Sequence, residues 1–175
     1  MDIEIYPTDK IVIDGKEIRF GMPKDDVERL IGNGNFVNTK FVKNRCYYFN
    51  NEMSVDYGDE LFVCAVEFLG GSDGKLKPII FGVSAFETDA EELFRLLCEK
   101  NGRDAEDNEG GYSYSFHEIS VGIYREITPD DVEEMAEEMR ENGILPENNP
   151  DFVNDRRRAS HWAALCVGKS GYYGK

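Results

Sequence analysis

The chain has 175 residues, a length typical of one domain or of two small modules that share a core. Its 35 acidic and 20 basic residues give a formal net charge of −15, and 41% of its residues are hydrophobic. That hydrophobic content is sufficient for a packed core, so the acidity does not indicate disorder. The charge argues against nucleic acid and against an anionic membrane surface as partners, because phosphate groups select basic residues.

The negative charge is concentrated in the third quarter of the chain. Residues 1–85 contain 14 acidic and 10 basic residues, a net charge of −4. Residues 86–150 contain 19 acidic and 5 basic residues, a net charge of −14. Residues 151–175 contain 2 acidic and 5 basic residues, a net charge of +3. A function based on charge is therefore expected to lie between residues 86 and 150.

The sequence predicts a cytoplasmic protein. Its first ten residues have neither the basic segment nor the apolar segment of a secretory signal. No apolar run approaches the roughly 20 residues that a membrane-spanning helix needs. Three of the four cysteines, Cys64, Cys98 and Cys166, lie in apolar segments and form no CxxC pair, as expected for buried thiols in a reducing compartment.

The first half of the chain indicates strands around one short helix. The helix is predicted to begin at Pro23 and to end at Gly32, because proline suits the first helical position and glycine suits the position after the last turn. Strands are predicted over residues 10–20 as a hairpin, over 46–57 as two strands, and over 61–69 and 77–86.

The second half indicates two longer helices. The first covers residues 88–100 and has Thr88 and Glu91 as a candidate capping box. The second is capped by Thr128 and stops at Asn142. The other segments are predicted as an exposed acidic loop (103–111), a hairpin (112–127), a loop (144–158) and a last strand (160–168).

Two stretches of the chain resemble each other. An I-x-F-G strand end, a helix and an aromatic hairpin containing Ser-Val occur over residues 18–57 and again over 79–126. Either short units are alike by chance, or the chain is a tandem repeat of two β-α-β-β(-β) modules. The modules would be residues 1–76 and residues 77–175, the latter with an extra acidic helix and a C-terminal strand. We expect one compact α+β unit in which helices pack on one face of an antiparallel sheet.

A short motif in the first module resembles a known family. The strand end with Gly21, followed by Val27, Leu30 and Gly32, is similar to the modules of the β-lactamase-inhibitor protein family. The resemblance implies a protein that binds other proteins rather than an enzyme. In size and acidity the chain also resembles the immunity proteins of bacterial toxin systems, which implies a basic toxin, such as a nuclease, as the partner.

The last predicted helix carries much of the charge. Its acidic residues face outward with only Arg140 to oppose them, and like charges four residues apart destabilise a helix by about 0.2–0.5 kcal/mol per pair. One explanation is general solubility, and the other is a basic protein partner that neutralises the repulsion. The residues predicted to contact such a partner are Glu133, Glu134, Glu137, Glu138 and Glu141 of the helix and Asp104, Glu106, Asp107 and Glu109 of the acidic loop.

The sequence indicates no catalytic residue, metal site or cofactor. The two histidines, His117 and His161, lie in no metal-binding motif and beside no nucleophile motif. The acidic loop does not fit the calcium-loop consensus, because Glu109 stands where a glycine is required.

Two alternatives to a protein-binding function stay open. The first is an enzyme or small-ligand-binding protein that uses an aromatic, concave sheet face. The residues predicted to line that face are Tyr47, Tyr57, Glu67, Tyr112, Tyr114 and Tyr124. Glu67 lies inside the most apolar strand and is either a buried candidate for a general acid, exposed to solvent, or paired with an arginine such as Arg125. The second alternative is a structural homo-oligomer.

Overall fold

Within residues 1–174, which the computed structural model describes, the chain forms 13 strands and four helices. The strands are β1 (Asp2–Tyr6), β2 (Lys10–Ile13), β3 (Lys16–Arg19), β4 (Asn35–Val37), β5 (Arg45–Tyr48), β6 (Met53–Tyr57), β7 (Val63–Phe68), β8 (Lys77–Ile80), β9 (Val83–Ser84), β10 (Glu106–Asp107), β11 (Ser113–Phe116), β12 (Val121–Tyr124) and β13 (Ala164–Gly168). The helices are α1 (Lys24–Ile31), α2 (Ala90–Asn101), α3 (Pro129–Glu141) and α4 (Pro150–Ala159). In this part of the chain no helix combines the length and the apolar composition needed to cross a bilayer. The predicted α+β fold is confirmed.

The strands form two sheets. The larger sheet has eight antiparallel strands in the order β10-β11-β12-β13-β7-β6-β5-β4. The smaller sheet has five strands in the order β3-β2-β1-β8-β9, in which β1 and β8 form a parallel pair. The pairs β1–β8 and β7–β13 each join a strand from residues 1–76 to a strand from residues 77–175. Both sheets are therefore shared by the two predicted modules.

The strand order of the larger sheet is symmetric about its centre. β4 to β7 lie on one side and β10 to β13 lie on the other, with β7 paired to β13 in the middle. Each set of four strands follows one helix along the chain, α1 or α2. The tandem repeat itself stays a prediction, because two similar arrangements of strands do not require a copied sequence.

The larger sheet has one buried face and one open face, because side chains alternate along a strand. On β7, Val66 and Phe68 point into the core and are fully buried, whereas Glu67 between them points to the open face. Helix α2 packs on the buried face, where the Phe94 ring lies edge-on to the Phe116 ring at 5.8 Å between centroids.

Residues 144–158, predicted as a loop, contain most of α4, so that prediction is wrong. Asn149 caps the helix by accepting N–H bonds from Asp151 and Phe152, and Pro150 occupies the first helical position. Asparagine and proline are typical of loops, but here they are the start signals of a helix. Helices α3 and α4 pack through a small apolar cluster of their own, which consists of Val132, Ala136, Phe152 and Ala159.

Of the two predicted helix caps, the one at the start of α2 is wrong and the one at the start of α3 is confirmed. Asp89 rather than Thr88 accepts the N–H bonds of Glu91 and Glu92, so the predicted capping box of α2 is wrong. A carboxylate is a stronger acceptor than a hydroxyl, which favours Asp89. The predicted cap at Thr128 is confirmed, because the structure has a reciprocal capping box at the start of α3.

Candidate functional site

The outer side of α3 carries an exposed set of acidic side chains, called here the acidic row. The opposite side of the helix holds Val132 and Ala136 against α4, which fixes the direction in which the acids point. The acidic row consists of Glu134, Glu137, Glu138 and Glu141, all of them exposed.

Within the described part of the chain, the acidic row has no ion-pair partner. Among residues 1–174, no nitrogen of a basic side chain lies within 4.0 Å of a carboxylate oxygen of the row. Arg140, on the same helix, instead faces Glu133 at 3.7 Å and Glu147 at 3.9 Å. On α4, Arg157 and Arg158 pair with acids outside α3. The fold therefore leaves the acidic row available to an external cation.

The acidic loop meets the start of α3 through a tyrosine. The Tyr112 hydroxyl lies 2.7 and 2.8 Å from the two carboxylate oxygens of Asp131 and donates to this group. Part of the loop forms β10, the edge strand of the larger sheet. The predicted contact residues of the loop, all exposed, are Asp104, Glu106, Asp107 and Glu109. The residue that follows the acidic loop, Tyr112, therefore lies at the N-terminal end of α3.

Asp131 joins the cap of α3 to the acidic loop. Hydrogen bonds from the Thr128 backbone N–H, the Thr128 hydroxyl and the Tyr112 hydroxyl hold the pKa of Asp131 below its usual value of 3.8. Because the pKa is lowered in the folded state, the carboxylate stabilises the fold above pH 3.8 and loses this effect as the pH falls further.

Replacing Asp131 with asparagine is expected to lower the free energy of unfolding at pH 7 by about 1 kcal/mol, because an amide accepts these hydrogen bonds more weakly than a carboxylate. The difference from the natural protein should shrink as the pH falls below 3.8. Urea denaturation followed by circular dichroism at several pH values measures both effects. Asp130→Asn, in the same helical turn, is the matched control, and an equal loss there would contradict the capping role.

The open face of the larger sheet carries a charged cluster. Arg45 donates to Asp56 through Nε at 2.5 Å and Nη2 at 2.8 Å, and to Glu67 through Nη1 at 2.9 Å. Desolvation opposes the charge of Arg45, but its hydrogen bonds and the two carboxylates outweigh this and raise the pKa of Arg45. Glu67 is thus paired with Arg45, and the suggested partner Arg125 is wrong. Arg125 lies on the buried side, 4.7 Å above the ring of Trp162.

The residues of the predicted aromatic cleft do not share one surface. The open face holds Tyr47, Glu67 and Tyr124. Tyr57 points inward together with Met53 and Val55, with which it alternates along β6, and its hydroxyl lies 3.0 Å from that of Tyr48. Tyr114 also points inward and packs on Phe94 at 4.7 Å between ring centroids. The Tyr112 hydroxyl is bound to the start of α3.

The open face also holds the residues that follow β13, for which the sequence predicts no helix or strand. Residues 169–174 fold back over the sheet, so that Tyr172 lies against Gly168 and Tyr173 lies against Gly122. The Tyr172 hydroxyl donates to the carboxylate of Asp56 at 3.2 Å. The adjacent tyrosines in SGYYG were the available signal, but no periodic pattern connects them to the sheet.

No protein-family model, curated protein or solved structure matches this chain. Its function is therefore inferred from its own residues. Within residues 1–174, no group of three or more His, Cys, Asp or Glu side chains is arranged to hold a metal ion.

Proposed function

We propose that the protein is a binding module that uses the acidic row and the neighbouring acidic loop to hold a basic protein, as an inhibitor or immunity protein holds a toxin. The observation that carries the proposal is that no basic side chain among residues 1–174 forms an ion pair with the row. Repulsion between acids four residues apart costs about 0.2–0.5 kcal/mol per pair in the isolated protein. A basic partner would remove this repulsion and would be attracted at long range.

The way in which α3 is held supports the same proposal. The helix is fixed along its length by the apolar cluster shared with α4 and at its start by the Thr128 cap and the Tyr112–Asp131 contact. A charged surface on a fixed element loses little conformational entropy when a partner binds. The acidic loop extends the surface at the same end of the helix.

Affinity capture with two versions of the full chain tests the proposal. The natural chain is expected to retain a basic protein from the source cells and to release it as salt is raised. A bait with Glu134→Gln, Glu137→Gln, Glu138→Gln and Glu141→Gln should bind that protein roughly tenfold more weakly or not at all. Capture of further copies of the chain alone would instead favour the homo-oligomer.

A second bait controls for net charge. It carries four changes at exposed acids that make no ion pair within residues 1–174, namely Asp2→Asn, Asp14→Asn, Asp59→Asn and Glu60→Gln. This bait loses as much charge as the row variant and should still retain the basic protein. Retention of the same proteins by all three baits would contradict the proposed role of the acidic row.

A further inference from the structure

The C-terminal segment, residues 169–174, occupies the open face through two aromatic rings. A β-carbon at Gly168 would clash with Cβ and Cγ of Tyr172, and a β-carbon at Gly122 would clash with the hydroxyl oxygen and Cζ of Tyr173. Both glycines stand inside strands, β13 and β12, where glycine weakens a sheet unless another group approaches closely. The two tyrosine side chains are the groups that approach here. The space above each glycine that one tyrosine side chain fills is called here a seat.

Each seat has a polar group at the hydroxyl end of its ring. The Tyr172 hydroxyl donates to Oδ2 of Asp56 at 3.2 Å. The Tyr173 hydroxyl and the Cys166 thiol line the same hollow, and burial raises the pKa of Cys166 to about 12. The two seats therefore recognise a phenol, with a flat floor for the ring and a polar partner for the hydroxyl.

The backbone holds only the start of the segment, where Lys169 also forms an isolated bridge with Thr8, and the two rings hold the rest of it to the sheet. The backbone N–H of Lys169 donates to the carbonyl of Cys64, and this is the last such bond to the sheet within the described chain. Beyond it, the backbone bonds are internal, from Tyr172 to Lys169 and from Gly174 to Gly171. A segment held in this way belongs to the parts of a protein that open locally at low cost in free energy.

Two hollows flank the seated rings. One, of about 450 Å³, lies beside Tyr172 and includes Asp56. The other, of about 130 Å³, lies beside Tyr173 and includes Glu67 and Tyr124. The larger hollow is already within the range of about 300–1,000 Å³ typical of small-ligand sites.

We propose that the open face is a binding site for a small phenol-bearing ligand and that the C-terminal segment is its internal competitor. The ligand chemistry follows from the occupants, because Tyr172 and Tyr173 are themselves two phenols in their seats. The Asp56 carboxylate requires a hydroxyl donor, so the ligand binds with its phenol protonated. The site lies on the larger sheet and does not involve the acidic row.

The alkylation rate of Cys166 by iodoacetamide, measured by peptide mass spectrometry with Cys98 as the internal reference, tests the proposal. The full chain with Tyr172→Ser and Tyr173→Ser vacates both seats, and its Cys166 is expected to react roughly tenfold faster than in the natural protein. Added 4-methylphenol should restore protection in this variant. The natural chain should bind 4-methylphenol roughly tenfold more weakly, because its own rings compete at high effective concentration.

Further variants show where the probe binds. Ser170→Ala with Gly174→Ala changes the same segment but keeps both rings, and Cys166 should stay protected. Adding Gly122→Ala to the vacated chain fills one seat, so 4-methylphenol should no longer protect Cys166. If the double tyrosine variant does not fold, Tyr173→Ser alone takes its place. Unchanged alkylation in the vacated chain, or protection that persists after Gly122→Ala, would overturn the proposal.

Discussion

Replacing Trp162 with alanine is expected to lower the free energy of unfolding by about 3–5 kcal/mol, the range for removal of a large buried aromatic side chain. Trp162 is 1% exposed. Its indole Nε1 donates to the carbonyl of Ala90 at 2.9 Å, which ties the segment before β13 to the start of α2. Its ring lies edge-on to Tyr114 at 5.9 Å between centroids. The substitution therefore loosens contacts among several elements at once.

The same substitution removes the aromatic ring that lies against a buried charge. Arg125 is 6% exposed and its guanidinium lies over the Trp162 ring. Its Nη1 atom has no hydrogen-bond partner among the described residues, and the nearest carboxylate, that of Glu91, is 3.8 Å away. Without the ring, this guanidinium would lose a cation–π contact while it stays shielded from water. We therefore expect a loss near the upper end of the range.

Trp162→Phe is the matched control. Phenylalanine keeps an aromatic face below Arg125 but loses the hydrogen bond to the α2 carbonyl, so a smaller loss of about 1–2 kcal/mol is expected. Trp162 is the only tryptophan of the chain, so urea unfolding of both variants must be followed by far-ultraviolet circular dichroism rather than by tryptophan fluorescence. Equal losses for the two variants would show that the ring does not support Arg125.

Helix ends that are set by residues close together in the chain can be predicted from the sequence. The start of α3 follows from Thr128 and Asp131, which stand three residues apart and bond to each other's backbone. Helix α1 follows in the same way from Pro23 and Gly32. Such signals act within one helical turn, and the error at α4 arose because the same residue types also mark loops.

Contacts between distant strands could not be predicted in this way. The sequence shows that Glu67 is a charged residue inside an apolar strand, but it does not show its ion-pair partner. That partner is Arg45 and not Arg125, because β5, β6 and β7 lie side by side. The inward direction of Tyr57 follows from its alternation with Met53 and Val55, but which face of β6 is buried depends on the strands and helices around it. The seats under the C-terminal segment depend on β12 and β13 lying together, with α3 and α4 between them along the chain.

Reversing one charge in the acidic row is expected to make the isolated protein more stable. Glu137 faces Glu133 and Glu141 at spacings of four residues on α3. Glu137→Lys would turn both repulsions into attractions. For each pair, the interaction free energy would become more favourable by about 0.4–1 kcal/mol. With allowance for the exposure of the helix, we expect the free energy of unfolding to rise by about 1 kcal/mol.

Urea denaturation at low and high sodium chloride concentrations measures this gain. The gain should shrink at high salt, because the charges are exposed and therefore screened. Glu137→Gln removes the repulsion without adding attraction and should give about half of the gain. Glu126→Lys reverses an acid that is paired with Arg158, so it should lower stability instead. No gain for Glu137→Lys at low salt would show that the row carries no repulsion.

The effect of Glu137→Lys on stability and on binding distinguishes the two explanations of the acidic row, which are solubility and a basic partner. If the charge served solubility alone, acids spread over the surface would suffice, and a repulsive spacing on one helix would bring no benefit. If the variant is more stable but binds the basic partner less well, the acidic row serves binding at the expense of stability. A variant that is more stable and binds equally well would assign the row to solubility and would direct the search for function to the open face of the larger sheet.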